Sequence, residues 1–289
     1  MAGGRVQLVW IIPENCRDMD QNNQVHGFSG DTVMKKENLL TQRINEAVRR
    51  GRKALIPFVP AGFPSKDAFW DIILELDDSG ADIIEIGVPF SDPVADGPIV
   101  ESASIRCLEQ GVSLSWIMSE LLKYREKLRA GIVLMGYYNP FLQYGLRRLS
   151  TEAEKAGVNG LIIPDLILEE VRPHLELFGD FHLSFTPLVG LNTSKERMRE
   201  YSGISPAFVY LVSVLGITGT RASADRLLRA KLAEVKEAFD CPVALGFGLS
   251  SRAQLDPIAD LVDAVVFGSA LIEHLDSGRK ASEFMKAWK

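Results

Sequence analysis

The chain has few of the features that announce a chemistry outright. Its 289 residues include only three cysteines, Cys16, Cys107 and Cys241, with no CxxC pair. An odd number at these spacings argues against a disulfide framework and against a thiolate metal cluster, and fits a reducing, cytoplasmic setting. No stretch approaches the run of about 18 apolar residues that a membrane-spanning helix requires. Positive charge is not in excess: 32 Lys and Arg stand against 38 Asp and Glu, a net charge of −6. With no basic stripe either, a nucleic-acid partner is disfavoured. HExxH, GxSxG and an EF-hand loop are all missing, so metal-assisted hydrolysis and serine-nucleophile chemistry have little support, and no metal is expected. Of the four histidines, His26 lies near the N-terminus, His174 in a helical stretch, His182 at the start of a strand and His274 well beyond the last strand. None is placed for catalysis.

Residues 1–33 stand apart from the rest. VQLVWIIP (6–13) is a short apolar run, followed by the polar and aperiodic ENCRDMDQNNQVHGFSGD. The run loosely resembles a signal-peptide core but lacks a small-x-small cleavage site. A disordered or loosely docked extension is expected, dispensable for activity, with Met34 as a natural beginning because KKENLLTQRINEAV opens an amphipathic helix. From 34 to 289 no long Pro/Gly/Ser linker interrupts the chain, so this stretch is read as one domain.

Within that stretch short, continuous apolar runs alternate with amphipathic helical segments. The runs are ALIPFV (54–59), DIIEIGV (82–88), GIVLMGY (131–137), GLIIP (160–164), LSFTPLV (183–189), AFVYLV (207–212), CPVALGF (241–247) and AVVFG (264–268). Continuous rather than alternating apolarity is the mark of strands covered on both faces. Between them DAFWDIILELDDSG, LSWIMSELLKYREKLRAG and RRLSTEAEKAG carry apolar residues at helical spacing and close on glycine. ERMREYSG, DRLLRAKLAEVKEAF and RAQLDPIADL fill the later gaps. Eight such units over about 250 residues predict a closed (β/α)8 barrel, the TIM-barrel fold. An open doubly wound sheet is the alternative, but the first strand runs into PFVPAGFP rather than a GxGxxG turn.

In a barrel the reactive residues sit at the C-terminal ends of the strands and in the loops that follow. EIGVPFSDPVADGP (85–98) is the most informative such segment. Its pattern IIEIGV points Glu85 into the barrel mouth if Ile84 and Ile86 face the helices. Burial there raises a carboxyl pKa, and a partly protonated Glu can give and take a proton near neutrality. Asp96 closes a loop stiffened by Pro89, Pro93 and Pro98, which can hold a second carboxylate towards the same pocket. Asp92 fits a site role and an ordinary Ser-Asp-Pro turn equally well. GFGLSS (246–251) and GSAL (268–271) are glycine turns that lead towards helices after the seventh and eighth strands. There, backbone N–H groups commonly cradle a phosphate, and Gly219 can add another. Phe58, Leu134, Ile162, Tyr210 and Phe247 would line an apolar, partly aromatic pocket between acids and glycines, suited to a flat substrate.

Taken together, EIGVPFSDPVADGP, LMGYYNP (134–140), PDL (164–166), GITG (216–219), GFGLS (246–250) and GSA (268–270) resemble the alpha chain of tryptophan synthase over about residues 37–289. The resemblance implies a (β/α)8 lyase that cleaves indole-3-glycerol phosphate to indole and glyceraldehyde 3-phosphate, with Glu85 and Asp96 as its catalytic acids. It implies phosphate contacts from Gly219, Gly248, Gly268 and Ser269, a ring contact from Phe247, and pocket and lid positions at Tyr210 and Thr218. SVLGITGTRAS resembles a lid that closes over substrate. No cofactor is implied for this chain. A beta chain carrying pyridoxal phosphate is the implied partner, in an α2β2 heterotetramer, with SDPVADGP and YYNPF facing it. The PAGFP turn (60–64) departs from the Thr-x-Gly-Asp-Pro type common in the family. Two competing readings remain: another phosphate-binding barrel enzyme, and an idle subunit that only activates its partner.

Overall fold

The computed structural model describes residues 38–204, 206–213, 221–246, 249 and 251–288. The N-terminal extension, Thr218, Gly219, Phe247 and Gly248 therefore lie outside the described residues.

Nine strand segments form one parallel sheet. They are β1 (Ala54–Pro60), β2 (Ile83–Gly87), β3 (Gly131–Met135), β4 (Val158–Ile162), β5 (Ser184–Phe185), β6 (Leu188–Gly190), β7 (Val209–Val212), β8 (Val243–Gly246) and β9 (Ala264–Phe267), in the order β5-β4-β3-β2-β1-β9-β8-β7-β6. The two ends of that order, β5 and β6, are separated in the chain only by Thr186 and Pro187. They are two halves of the predicted fifth strand, one pairing with β4 and the other with β7. Counted that way the sheet has eight strands and closes on itself. Proline at 187 has no N–H to give to a ladder, which is why the strand is interrupted there.

Every residue of β1, β2 and β3 is buried. One face packs against helices and the other fills the barrel. The helices start and stop where the sequence supplies caps. Asn38, Ser65, Ser113 and Ser194 each accept a backbone N–H from the first turn of the helix that follows. Gly157, at φ +75°, ends the helix Leu146–Ala156 in the left-handed conformation that costs glycine least. One helical expectation changes: RAQLDPIADL forms two 3₁₀ turns, Arg252–Gln254 and Asp256–Leu261. Pro257 lacks the N–H that a continuous α-helix needs at that position.

The N-terminal end of the barrel is tied by satisfied acids. Asp82 takes both Arg52 guanidinium nitrogens at 2.6 and 2.8 Å and the Leu55 N–H at 2.9 Å. Asp77, 4% exposed, accepts the Arg129 and Ala130 N–H groups and the Arg129 Nε. Asp263 accepts the Val243 N–H at 2.7 Å and pairs with Lys236.

Candidate active site

The strand register decides which residues look into the barrel. Phe58, Glu85, Val133, Gly160 and Ser184 are successive partners across β1 to β5 and share the inward face. Ile84 and Ile86 alternate onto the outer face, as the pattern around Glu85 requires. Glu85 is 1% exposed, and neither carboxyl oxygen has a hydrogen-bond partner among the described residues. Burial, reinforced by the negative charge of Asp96, pushes its pKa up to about 8. A carboxyl in this state is mostly protonated at neutral pH.

Glu85 opens into a cavity of about 250 Å³ at the C-terminal end of the strands. Asp96 reaches the same cavity from the loop after β2. That loop is folded on itself, with the Asp96 N–H donating to the Pro93 carbonyl at 3.0 Å and the Val94 N–H to the Asp92 carbonyl at 2.9 Å. Burial raises the Asp96 pKa to about 6, a hydrogen bond from Tyr137 works in the opposite direction, and the charge of Glu101 adds to the rise. Around neutral pH the two acids therefore differ: Glu85 holds its proton and Asp96 has lost its own. Asp92 is exposed and belongs to the turn.

Tyr210 enters from β7 and is the third polar group of the cavity. Burial, then the charges of Glu85 and Asp96, hold its phenol far above the usual tyrosine range, so it stays a neutral donor. A Cβ at Gly246 would stand 2.2 Å from the Tyr210 hydroxyl oxygen, so the glycine of the β8 turn makes room for this side chain. Phe58 is seated similarly, with its ring where a Cβ on Gly87 or Gly268 would clash at 2.7 and 2.9 Å. These glycines shape the pocket by lacking a side chain.

The opposite wall is the turn after β9. Gly268 is the N-cap of the helix Ser269–Asp276 and offers no side chain to cap it. The Ile272 N–H returns to the Gly268 carbonyl, and the donors before it have no partner within the helix. They give the cavity a donor-rich end with a favourable dipole. After β8 the next turn is shorter than expected: Ser251 caps a 3₁₀ turn, its backbone N–H donating to Gln254 Oε1 at 3.0 Å.

Of the residues expected at the site, the cavity brings together Phe58, Glu85, Asp96, Tyr210, Gly268 and Ser269. Leu134 does not join them. It is the register partner of Ile86, so it faces the helices, and Met135 lines the cavity in its place. Ile162 pairs with Met135 on the inward face but lies outside the lining. Thr218, Gly219, Phe247 and Gly248 are outside the described residues. Sequence reasoning missed Met135, Val100, Leu249 and Glu273. Alternation counted from Glu85 across the register would have found Met135; the others depend on how loops and helices fold back, for which the sequence carries no local signal. Two of the three described histidines make structural contacts: His274 meets the Lys280 carbonyl at 2.9 Å and His174 the Tyr138 hydroxyl at 3.1 Å. Among the described residues no group of three or more His, Cys, Asp or Glu is placed to hold a metal, and no helix is long and apolar enough to cross a membrane.

Comparison with known proteins agrees with this geometry. The family model described as tryptophan synthase alpha chain matches residues 44–287. The chain is 55% identical over 250 residues to the tryptophan synthase alpha chain of Maridesulfovibrio salexigens, covering 86% of this chain and 98% of that one. It is 56% identical over 253 residues to that of Solidesulfovibrio magneticus, covering 88% and 99%. Among solved structures, the tryptophan synthase alpha subunit of Legionella pneumophila superposes with a TM-score of 0.78 at 28% identity, covering 87% of this chain and 95% of that one. A ligand-free tryptophan synthase from M. tuberculosis gives 0.75 at 33% identity, covering 86% and 95%. The cavity with its buried acid, the eight-stranded barrel and these likenesses lead to one conclusion: the chain belongs to the tryptophan synthase alpha chain family.

Proposed function

We propose that Glu85 and Asp96 carry out the reaction of this family, the cleavage of indole-3-glycerol phosphate to indole and glyceraldehyde 3-phosphate. The observation that supports the assignment is Glu85: a buried, protonated carboxyl with no partner among the described residues, open to a cavity that ends in helix donors without an intrahelical partner.

The carbon–carbon bond breaks only if the indole becomes a better leaving group. Glu85 delivers its proton to the ring carbon that bears the glycerol chain, giving a cationic indolenine. Asp96, ionised, accepts the ring N–H and stabilises that charge. Glu85 is now a carboxylate and takes the proton of the adjacent glycerol hydroxyl. The hydroxyl carbon becomes a carbonyl, the bond electrons return to the ring, indole leaves, and Glu85 has its proton back. Tyr210 and Phe58 confine the flat ring, and the N–H groups at Gly268 and Ser269 receive the phosphate. Thr218, Gly219, Phe247 and Gly248 complete the pocket in this reading.

The alpha chain of this family carries no cofactor and works with a beta chain. In the assembly we propose, an α2β2 heterotetramer in the cytoplasm, pyridoxal phosphate belongs to the beta chain. The apolar side chains exposed in the three successive segments that follow β2, β3 and β4, Val94, Leu142 and Ile167, suit that interface. The reaction is assigned to the barrel, with residues 1–33 an extension that it does not need. The test is indole formation from indole-3-glycerol phosphate by the full chain, alone and with beta chain. Cleavage strongly raised by the beta chain is expected, and deletion of residues 1–33 should leave it unchanged. Activation of the beta chain without any cleavage would overturn the proposal.

A further inference from the structure

Glu85 is aimed by the strand that carries it, whereas Asp96 sits on a loop and has to be held by something else. Tyr137, in the turn after β3, makes the contacts that do so. It is 3% exposed, and its ring lies 5.3 Å from that of Phe90, at the start of the same loop. Its hydroxyl oxygen accepts the Ala95 N–H at 2.9 Å. A phenol that accepts there has one proton left to give, and the neighbouring Asp96 carboxyl is the acid whose pKa it lowers. The next residue fixes the strand end from the other side, its N–H donating to Asp165 Oδ1 at 2.9 Å.

We propose that Tyr137 is a positioning residue for the cleavage reaction, its hydroxyl pinning the loop after β2 through the Ala95 N–H and turning the Asp96 carboxylate towards the substrate ring. This rests on the assignment of Asp96 made above. Charge-assisted hydrogen bonds of this kind are stronger than neutral ones and directional, and a misplacement of about 1 Å costs up to about 10²-fold in rate. The groups around Asp96 are Glu85 from β2, Tyr137 from the turn after β3, Tyr210 from β7 and Glu101 from the helix Pro98–Glu109, with Glu273 from the helix Ser269–Asp276 lining the same cavity. None of the described lining residues is Lys or Arg. In that acidic surround the Tyr137 proton is the group that favours ionised Asp96, and its removal favours the protonated form.

The experiment is steady-state indole formation by the full chain with beta chain, from about pH 5 to about pH 10, for wild type, Tyr137→Phe, Asp96→Asn and the double variant. Tyr137→Phe should lower kcat about 10-fold with KM changed less than about twofold, and move the acid limb of the profile to higher pH. Asp96→Asn should lower the rate about 10²-fold, and adding Tyr137→Phe to it should cost little more, because the hydroxyl acts through the carboxylate. Incorporating 3-fluorotyrosine at position 137 supplies a more acidic phenol and should shift the acid limb the other way, which loss of packing cannot imitate. It also serves if the Phe variant fails to fold. An unmoved acid limb in both Tyr137 variants, or multiplicative losses in the double variant, would overturn the proposal. If Asp96→Asn itself turns over like wild type, the fault lies with the assignment of Asp96 rather than with Tyr137.

Discussion

The two ends of the barrel treat their acids in opposite ways. At the N-terminal end Asp77, Asp82 and Asp263 each pair with a cation and accept at least one backbone N–H. At the C-terminal end Glu85 is buried more completely than any of these and has no partner among the described residues. An unpaired buried carboxyl costs stability, and none of the described residues around Glu85 offers it a hydrogen bond. The contrast separates acids that hold the fold from an acid held for chemistry. It matches the division of labour in barrels, where one rim is structural and the other reactive.

The comparison breaks most visibly under paired substitutions. Glu85→Gln should lower indole formation by about 10²–10⁴-fold, the scale of a lost general acid and base, while the chain folds normally. Asp82→Asn should do the reverse: turnover stays within about twofold, and unfolding in urea shows a loss of about 2 kcal/mol as the Arg52 pair and its hydrogen bonds weaken. Equal effects of the two substitutions on rate would erase the distinction.

How much of this could be read from the sequence follows from the same contrast. The direction of Glu85 was legible because two isoleucines flank it and a strand allows only two faces. The fold was legible because short, mostly apolar runs alternate with amphipathic helical segments along the chain. Leu134 and Met135 could not be told apart, since neither carries a mark of its face. Only pairing with β2, which sets Glu85 beside Val133 and Gly87 beside Met135, fixes the parity. The glycine turns were legible as turns, but their second use was not. That Gly246 leaves space for Tyr210, and Gly87 and Gly268 for Phe58, depends on side chains arriving from other strands. The hold of Tyr137 on Ala95 and Asp96 is likewise a contact between distant segments. Reading RAQLDPIADL as one helix overlooks Pro257 inside it, and the break follows from that residue.

Two smaller effects sharpen the comparison. Gly246→Ala sets a methyl against the buried Tyr210 hydroxyl and should cost about 1–3 kcal/mol by overpacking, with a loss of turnover that Ala substitution at the exposed Gly278 does not reproduce. Glu85→Gln should change stability with pH in a direction set by the raised pKa. The folded chain binds this proton more tightly than the unfolded chain, so its stabilising effect is complete below about pH 4.5 and is lost as the pH rises through about 8. The variant, which cannot ionise, should gain on wild type between about pH 5 and about pH 8, by up to a few kcal/mol in urea titrations. A constant gap would mean that Glu85 titrates like an exposed carboxyl.

The most direct measurement is the pH dependence of kcat/KM for indole release by the full chain with beta chain. The account predicts a bell whose falling limb lies near about pH 8, where Glu85 surrenders its proton to solvent before it can pass it to the ring. A rate that holds level from about pH 7 to about pH 10 would contradict it, because the group that protonates the ring would then not be this carboxyl.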